Sequence, residues 1–329
     1  MEMVRTAVLL PFDKQQRELL EAAGKGRCAF SYIDLEKGRE ERLKRLVEAE
    51  IIFGEPTLAE IWQCPRLRWL QTSFAGVDRY TMAEGFPSQK VMLTNARGCF
   101  GTVIAEYIVA VILELSRNLK QYALLQQKAC FRPLGFEMLL FGKHILILGA
   151  GDIGTAAAKR LKAFGTYLTG MRRTERNYPD CFDEMITEED LESALSKADI
   201  VVGCLPATEK TRGLLNLERL HQMKKGAFLI NVGRGNLIDT KALTTVLEEG
   251  WLGGVALDVT DPEPLPEEHP LWKMEQVILT PHIAGVSFGY SKDTENRILH
   301  ICCQNLERYL TRKELLNRVN FSEGYVSEL

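Results

Sequence analysis

The sequence predicts an α/β protein built from two doubly wound parallel-sheet domains with a cleft between them. Three observations carry that expectation. Short apolar runs alternate with helical patterns along nearly the whole chain, which argues for parallel strands joined by crossover helices. The length, 329 residues, suits two hydrophobic cores. Two long helical patterns, 101–127 and 287–311, stand where the alternation passes from one block to the next and back.

The elements follow in order. Ala7–Leu10 reads as a strand, closed by Pro11. A helix runs from Asp13, an N-cap residue, to about Ala23 before Gly24. Cys28–Ile33, Ile51–Phe53, Leu67–Leu70 and Val91–Leu93 are strands, with an amphipathic helix at Arg39–Glu48. Gly101–Gln127 has no proline and no interior glycine, and Ile104, Ile108, Val111, Ile112 and Leu115 fall at helical spacing. It reads as one helix connecting the domains. The second block contributes strands at His144–Leu148, Tyr167–Met171, Asp199–Cys204, Ala227–Asn231, Gly254–Leu257 and Val277–Leu279. The helix Ser287–Thr311 then returns the chain. The first domain is therefore split, 1–98 plus 286–329, around a second at 99–285.

Composition narrows the function classes. The chain is 46% hydrophobic and 26% charged with net charge −3, so no global basic field serves nucleic acid or an anionic membrane. No apolar run is long enough to span a bilayer, and the N-terminus has no signal-peptide pattern. The eight cysteines (Cys28, Cys64, Cys99, Cys130, Cys181, Cys204, Cys302 and Cys303) include no C-x-x-C, which suits buried thiols in a reducing cytoplasm. No His/Cys/Asp cluster has metal-ligand spacing, so no metal is expected. His144, His221, His269 and His300 read as surface or structural, and Glu188-Glu189-Asp190 as a helix first turn.

The strongest local signal is Gly149-Ala150-Gly151-Asp152-Ile153-Gly154, between the strand His144–Leu148 and a helix from Thr155 to Ala163. Gly149 permits the tight turn, Gly151 lets backbone approach a pyrophosphate, and Gly154 lets helix and strand pack closely. The helix N-terminus adds free N–H groups for phosphate. These features point to a Rossmann-like dinucleotide site. The next strand sets cofactor choice. An NAD site places Asp or Glu there, to accept from the ribose 2′-hydroxyl. Here the strand ends in Arg172-Arg173-Thr174, which suits a 2′-phosphate and hence NADP, with NAD as the alternative.

Three further segments begin where buried strands end: Asn231–Gly235, Leu257–Leu265 and Thr280–Gly285. In an open parallel sheet those ends line the ligand crevice. Arg234, Glu263 and His282 are thereby expected at one site. Together they form the set that hydride transfer to a 2-oxo acid needs: a guanidinium to clamp the carboxylate, an imidazole to supply the proton, and a carboxylate to hold the tautomer.

With Ser73–Asp78, Thr94-Asn95, Ala105–Tyr107 and Cys204–Pro206 added, the chain resembles the D-isomer-specific 2-hydroxyacid dehydrogenases over nearly its whole length. The resemblance implies His282 as proton donor, Glu263 as its partner and Arg234 as substrate clamp. It implies that the loop of Ser73, Phe74, Ala75, Gly76 and Val77 offers backbone N–H groups to the substrate carboxylate. Asp258 would accept from the nicotinamide amide. Asp152, Ile153, Cys204, Leu205, Pro206, Thr211, Val232, Gly233, Ala284 and Gly285 would line the cofactor, and the protein would be a homodimer through its cofactor domains. The Arg-Arg-Thr turn is similar to that of NADPH-using glyoxylate and hydroxypyruvate reductases. Neutral Thr72 and Ser73 rank phosphoglycerate dehydrogenase lower, and Glu263 in place of Gln argues against formate dehydrogenase. A dinucleotide-sensing corepressor of the same fold is the alternative from another class, disfavoured by the absence of a long disordered tail or basic patch.

Overall fold

The computed structural model describes residues 3–34, 38–135, 137–173 and 178–326. The chain divides into two compact units: Met1–Phe100 with Val286–Leu329, and Gly101–Gly285.

The first unit holds five parallel strands: β1 (Val4–Val8), β2 (Cys28–Tyr32), β3 (Ile51–Phe53), β4 (Trp69–Gln71) and β5 (Met92–Thr94), in the order β2-β1-β3-β4-β5. The register sets Ala7 beside Ile52, Ile52 beside Leu70 and Leu70 beside Leu93, and these four join Leu46, Ile61 and Tyr80 in one core. Asp13 caps the helix Lys14–Ala23 through a capping box with Gln16, as its position in the sequence predicts. The return helix, Lys292–Leu310, is capped by Ser291. It belongs to this unit because it packs on Lys14–Ala23, stacks Tyr309 on Trp69 at 5.5 Å, and bonds Asn305 to Gln71 Oε1 at 2.9 Å.

The second unit holds seven parallel strands: β6 (His144–Leu148), β7 (Tyr167–Met171), β8 (Glu184–Ile186), β9 (Ile200–Gly203), β10 (Phe228–Asn231), β11 (Gly254–Leu257) and β12 (Val277–Leu279). Their order is β12-β11-β10-β9-β6-β7-β8. Continuous apolar runs make the central strands because both faces are covered: every residue of β9, β10 and β11 is buried. The three-residue edge strand β8, Glu184-Met185-Ile186, is too short and mixed for the sequence pattern to mark it as a strand.

The segment 101–127 departs from expectation. It is two helices, Gly101–Ser116 and Leu119–Gln127, broken at Asn118, whose φ of 52° is left-handed. Asparagine tolerates that conformation better than most residues. Ile104, Ala105, Ile108, Val111 and Ile112 bury the first helix, while the second buries nothing, so packing holds only the first in line. Both helices lie in the second unit. Among the described residues no helix is long and apolar enough to cross a membrane.

Candidate active site

The order of the second sheet positions the site. The chain runs β6 to β8 toward one edge, then reverses to β9 beside β6 and runs to the other, so β6/β9 is the switch point. All the strands are parallel, so the segments following Leu148, Gly203, Asn231, Leu257 and Leu279 emerge at one edge.

The glycine loop occupies the switch point. Gly149 has φ +102°, and its amide and that of Ala150 both donate to the Met171 carbonyl, at 3.2 and 3.0 Å. A Cβ on Gly154 would lie 2.2 Å from the Gly149 oxygen, so the helix Asp152–Leu161 presses directly on the turn. A Cβ on Gly151, at negative φ, would meet no atom within 4 Å. Gly151 thus opens a cradle at a helix N-terminus, and these residues fit a pyrophosphate. Asp152 turns its carboxylate toward Gly101. Ile153 is half-buried beside the loop.

The neighbouring loops close on this turn. Gly233 sits where a Cβ would come within 2.5 Å of the Leu205 oxygen, so Val232–Arg234 presses on Cys204–Pro206. Thr211 Oγ1 donates to the Pro206 carbonyl at 2.7 Å and shapes the loop between them. Burial pushes the Cys204 thiol up to about 12. Beyond β7, Arg172 is half-exposed and Arg173 exposed, the Arg172 amide being tied to Ile186 at 3.0 Å. Thr174 lies outside the described residues.

His282 and Glu263 come together: Nδ1 and Oε1 are 2.8 Å apart, with the side chains 47% and 44% exposed. A carboxylate only accepts, so Nδ1 carries the proton and Nε2 is left to face a reactant. His282 holds a left-handed backbone, φ 56°, fixed by its amide's bonds to the carbonyls of Asp258 (2.8 Å) and Thr280 (3.0 Å). Arg234 follows β10, and its carbonyl accepts from Asn231 Nδ2 at 2.9 Å. Gly235 explains how its loop meets that of Glu263: a Cβ there would overlap the Thr260 oxygen at 2.0 Å.

One group plays a part that its place in the sequence does not reveal. Asp258 is 2% exposed. Its Oδ1 accepts from Thr280 Oγ1 (2.7 Å) and the Ile283 amide (2.8 Å), and its Oδ2 from the Ala284 amide (2.9 Å). Tyr107 Oη lies 2.6 Å from Thr280 Oγ1; since the threonine proton goes to Asp258, Tyr107 is the donor. Burial keeps that phenol protonated, raised to about 12. Asp258 therefore anchors the whole turn that carries His282, Ala284 and Gly285.

The loop Ser73–Val77 leaves β4 in the first unit. Its carbonyls are tied down: Phe74's by Thr72 Oγ1 and the Ala96 amide, Ala75's by Asn95 Nδ2 at 2.6 Å. The Ser73 amide and hydroxyl both donate to Glu55 Oε1, at 2.7 and 2.9 Å. Ser73 thus gives its N–H to Glu55, where the resemblance has the loop's N–H groups offered to a substrate; Glu55 belongs to no motif, so nothing in its sequence context marks it. Among the described residues, no group of three His, Cys, Asp or Glu side chains could hold a metal ion.

Residues 109–284 match the family model described as D-isomer specific 2-hydroxyacid dehydrogenase, NAD binding domain. The glyoxylate reductase of Thermofilum pendens is 33% identical over 282 residues, covering 83% of this chain and 82% of that protein. Among solved structures, a D-isomer specific 2-hydroxyacid dehydrogenase family protein from Aeromonas salmonicida is 32% identical with TM-score 0.86, covering 97% of this chain and all of that one. An NADPH-dependent glyoxylate/hydroxypyruvate reductase from Sinorhizobium meliloti, in complex with NADP and sulfate, is 26% identical with TM-score 0.81, covering 98% and 99%. The chain belongs to the D-isomer-specific 2-hydroxyacid dehydrogenase family, and its Gly101–Gly285 unit carries that family's NAD-binding domain.

Proposed function

We propose that this chain reduces small 2-oxo acids of the glyoxylate and hydroxypyruvate class to D-2-hydroxy acids, with NADPH as the preferred donor. The observation that carries the reading is the 2.8 Å His282–Glu263 pair, on a loop that Gly235 brings against that of Arg234. The bound cofactor supplies the hydride. As negative charge grows on the substrate's carbonyl oxygen, His282 Nε2 protonates it, and Glu263 holds Nδ1 and balances the imidazolium. Arg234 clamps the carboxylate and polarises the carbonyl. Asp258 anchors the His282 turn and accepts from the nicotinamide amide.

Gly149, Gly151, Asp152, Ile153 and Gly154 cradle the pyrophosphate. Cys204, Leu205, Pro206, Thr211, Val232, Gly233, Ala284 and Gly285 line the rest of the cofactor. Arg172 and Arg173 receive the 2′-phosphate. The S. meliloti relative, solved with NADP, supports that choice. The first unit is the substrate domain, where Phe74, Ala75, Gly76 and Val77 line the acid. The free cysteines support a cytoplasmic setting, and exposed Leu119, Phe131, Leu139 and Phe141 in the cofactor unit support a homodimer.

The test is NADPH oxidation with glyoxylate, hydroxypyruvate, pyruvate, phenylpyruvate and 2-oxoisocaproate. His282→Ala should lower kcat by roughly 10²–10⁴ with NADPH binding intact. A protein that binds NADPH yet oxidises it with none of these acids would overturn the reading.

A further inference from the structure

Glu55 stands directly behind the substrate loop. It follows β3 and Gly54, whose amide bonds the Gln71 carbonyl at 2.8 Å. β3 and β4 therefore stay in register to their ends, and Glu55 and Ser73 emerge side by side. Ser73 is only 2% exposed, so its N–H and O–H depend on Glu55 Oε1 rather than on water. With Phe74 and Ala75 held by their carbonyls, this bond fixes the remaining end of the loop. The peptide planes of Gly76 and Val77 are then presented from a clamped segment.

The charge on Glu55 is the second feature. Burial pushes its carboxyl above the ordinary carboxylate range, and the Ser73 bonds and the positive charge of Arg79 draw it back. An anion behind a carboxylate-binding loop opposes each further negative charge brought to that loop.

We propose that Glu55 is the positioning residue of the loop Ser73–Val77, and that its charge restricts the reaction to 2-oxo acids bearing a single negative charge. The proposal rests on the reductase reading. It places acids with a phosphate or a second carboxylate outside the substrate range.

The experiment compares Glu55→Ala and Glu55→Gln with the parent at saturating NADPH, using glyoxylate and hydroxypyruvate against 2-oxoglutarate and oxaloacetate. Binding of oxamate and of 2-oxoglutarate to the NADPH complex is measured alongside. Glu55→Ala should raise KM for glyoxylate at least tenfold, change kcat less than threefold and leave NADPH affinity unchanged. Glu55→Gln retains an acceptor for Ser73 and should restore most of that loss. It should also narrow the monoanion-to-dianion ratio of kcat/KM at least tenfold. A parental KM in Glu55→Ala overturns the positioning role, and an unchanged ratio in Glu55→Gln overturns the charge filter. Oxamate and 2-oxoglutarate affinities read the same two effects without turnover, so a protein that reduces no acid fails as a reductase while still deciding the role of Glu55.

Discussion

Two glycines of one turn, Gly151 and Gly154, separate the fold of the cofactor unit from its ligand site. A methyl on Gly154 would stand 2.2 Å from the Gly149 oxygen and 3.0 Å from Ile147 Cγ2, where real Cβ contacts essentially never fall below 3.0 Å. The helix Asp152–Leu161 must therefore back away from β6 by close to an ångström, or the turn must open. Overpacking of this kind costs about 1–3 kcal/mol. In a unit of this size each kcal/mol lowers Tm by about 2–4 °C, so Gly154→Ala should melt about 2–12 °C earlier. Gly151→Ala meets no atom within 4 Å and needs no positive φ, so its Tm should stay within about 2 °C of the parent. The same methyl enters the cradle, and NADPH affinity should fall about tenfold or more, a change of roughly 1.4 kcal/mol. Thermal melts without cofactor and fluorescence titration with NADPH measure the two effects separately. Parental NADPH affinity in Gly151→Ala would show that the cradle does not hold the pyrophosphate, and a parental Tm in Gly154→Ala would refute the packing argument.

Other expectations follow from the same geometry. Glu263→Gln removes the carboxylate that holds His282 Nδ1 at 2.8 Å and balances the imidazolium formed in the reaction, so kcat should fall while NADPH affinity holds. An unchanged kcat in Glu263→Gln would break the pairing. Arg172→Asp should weaken NADPH binding and recover NADH, read as a ratio of the two dissociation constants; equal constants in the parent would contradict the preference. Asp258→Asn must turn an NH₂ toward a donor it now accepts from, which should cost about 1–3 kcal/mol in a thermal melt and lower kcat by displacing His282. Arg234→Lys keeps the charge but loses the planar fork, so kcat/KM for the acid should drop while NADPH affinity holds.

Much of this is legible in the sequence. Strand runs such as His144–Leu148 and Gly254–Leu257 match the structure residue for residue because strands buried on both faces are continuous apolar runs bounded by glycine or polar residues. The Asp13 cap and the glycine loop were legible because their chemistry is local, a side chain answering a backbone group a few residues away. Arg234, Glu263 and His282 could be nominated together because each follows a parallel strand, and parallel strands end at one edge. Other features depend on partners remote in sequence. The break at Asn118 reflects where the buried stripe of Gly101–Ser116 runs out, which composition does not mark. Gly235 is one glycine among 26 until Thr260 is placed against it. Asp258 gains its three donors, and Glu55 its two from Ser73, only when loops separated by many residues are set side by side. The sequence by itself determined the sheets, the dinucleotide turn and the residue types of the chemistry, because periodicity and turn geometry are written locally. Tertiary structure alone decided which carboxylates hold the loops in place, because a buried hydrogen bond exists only once both of its partners have been brought out of water together.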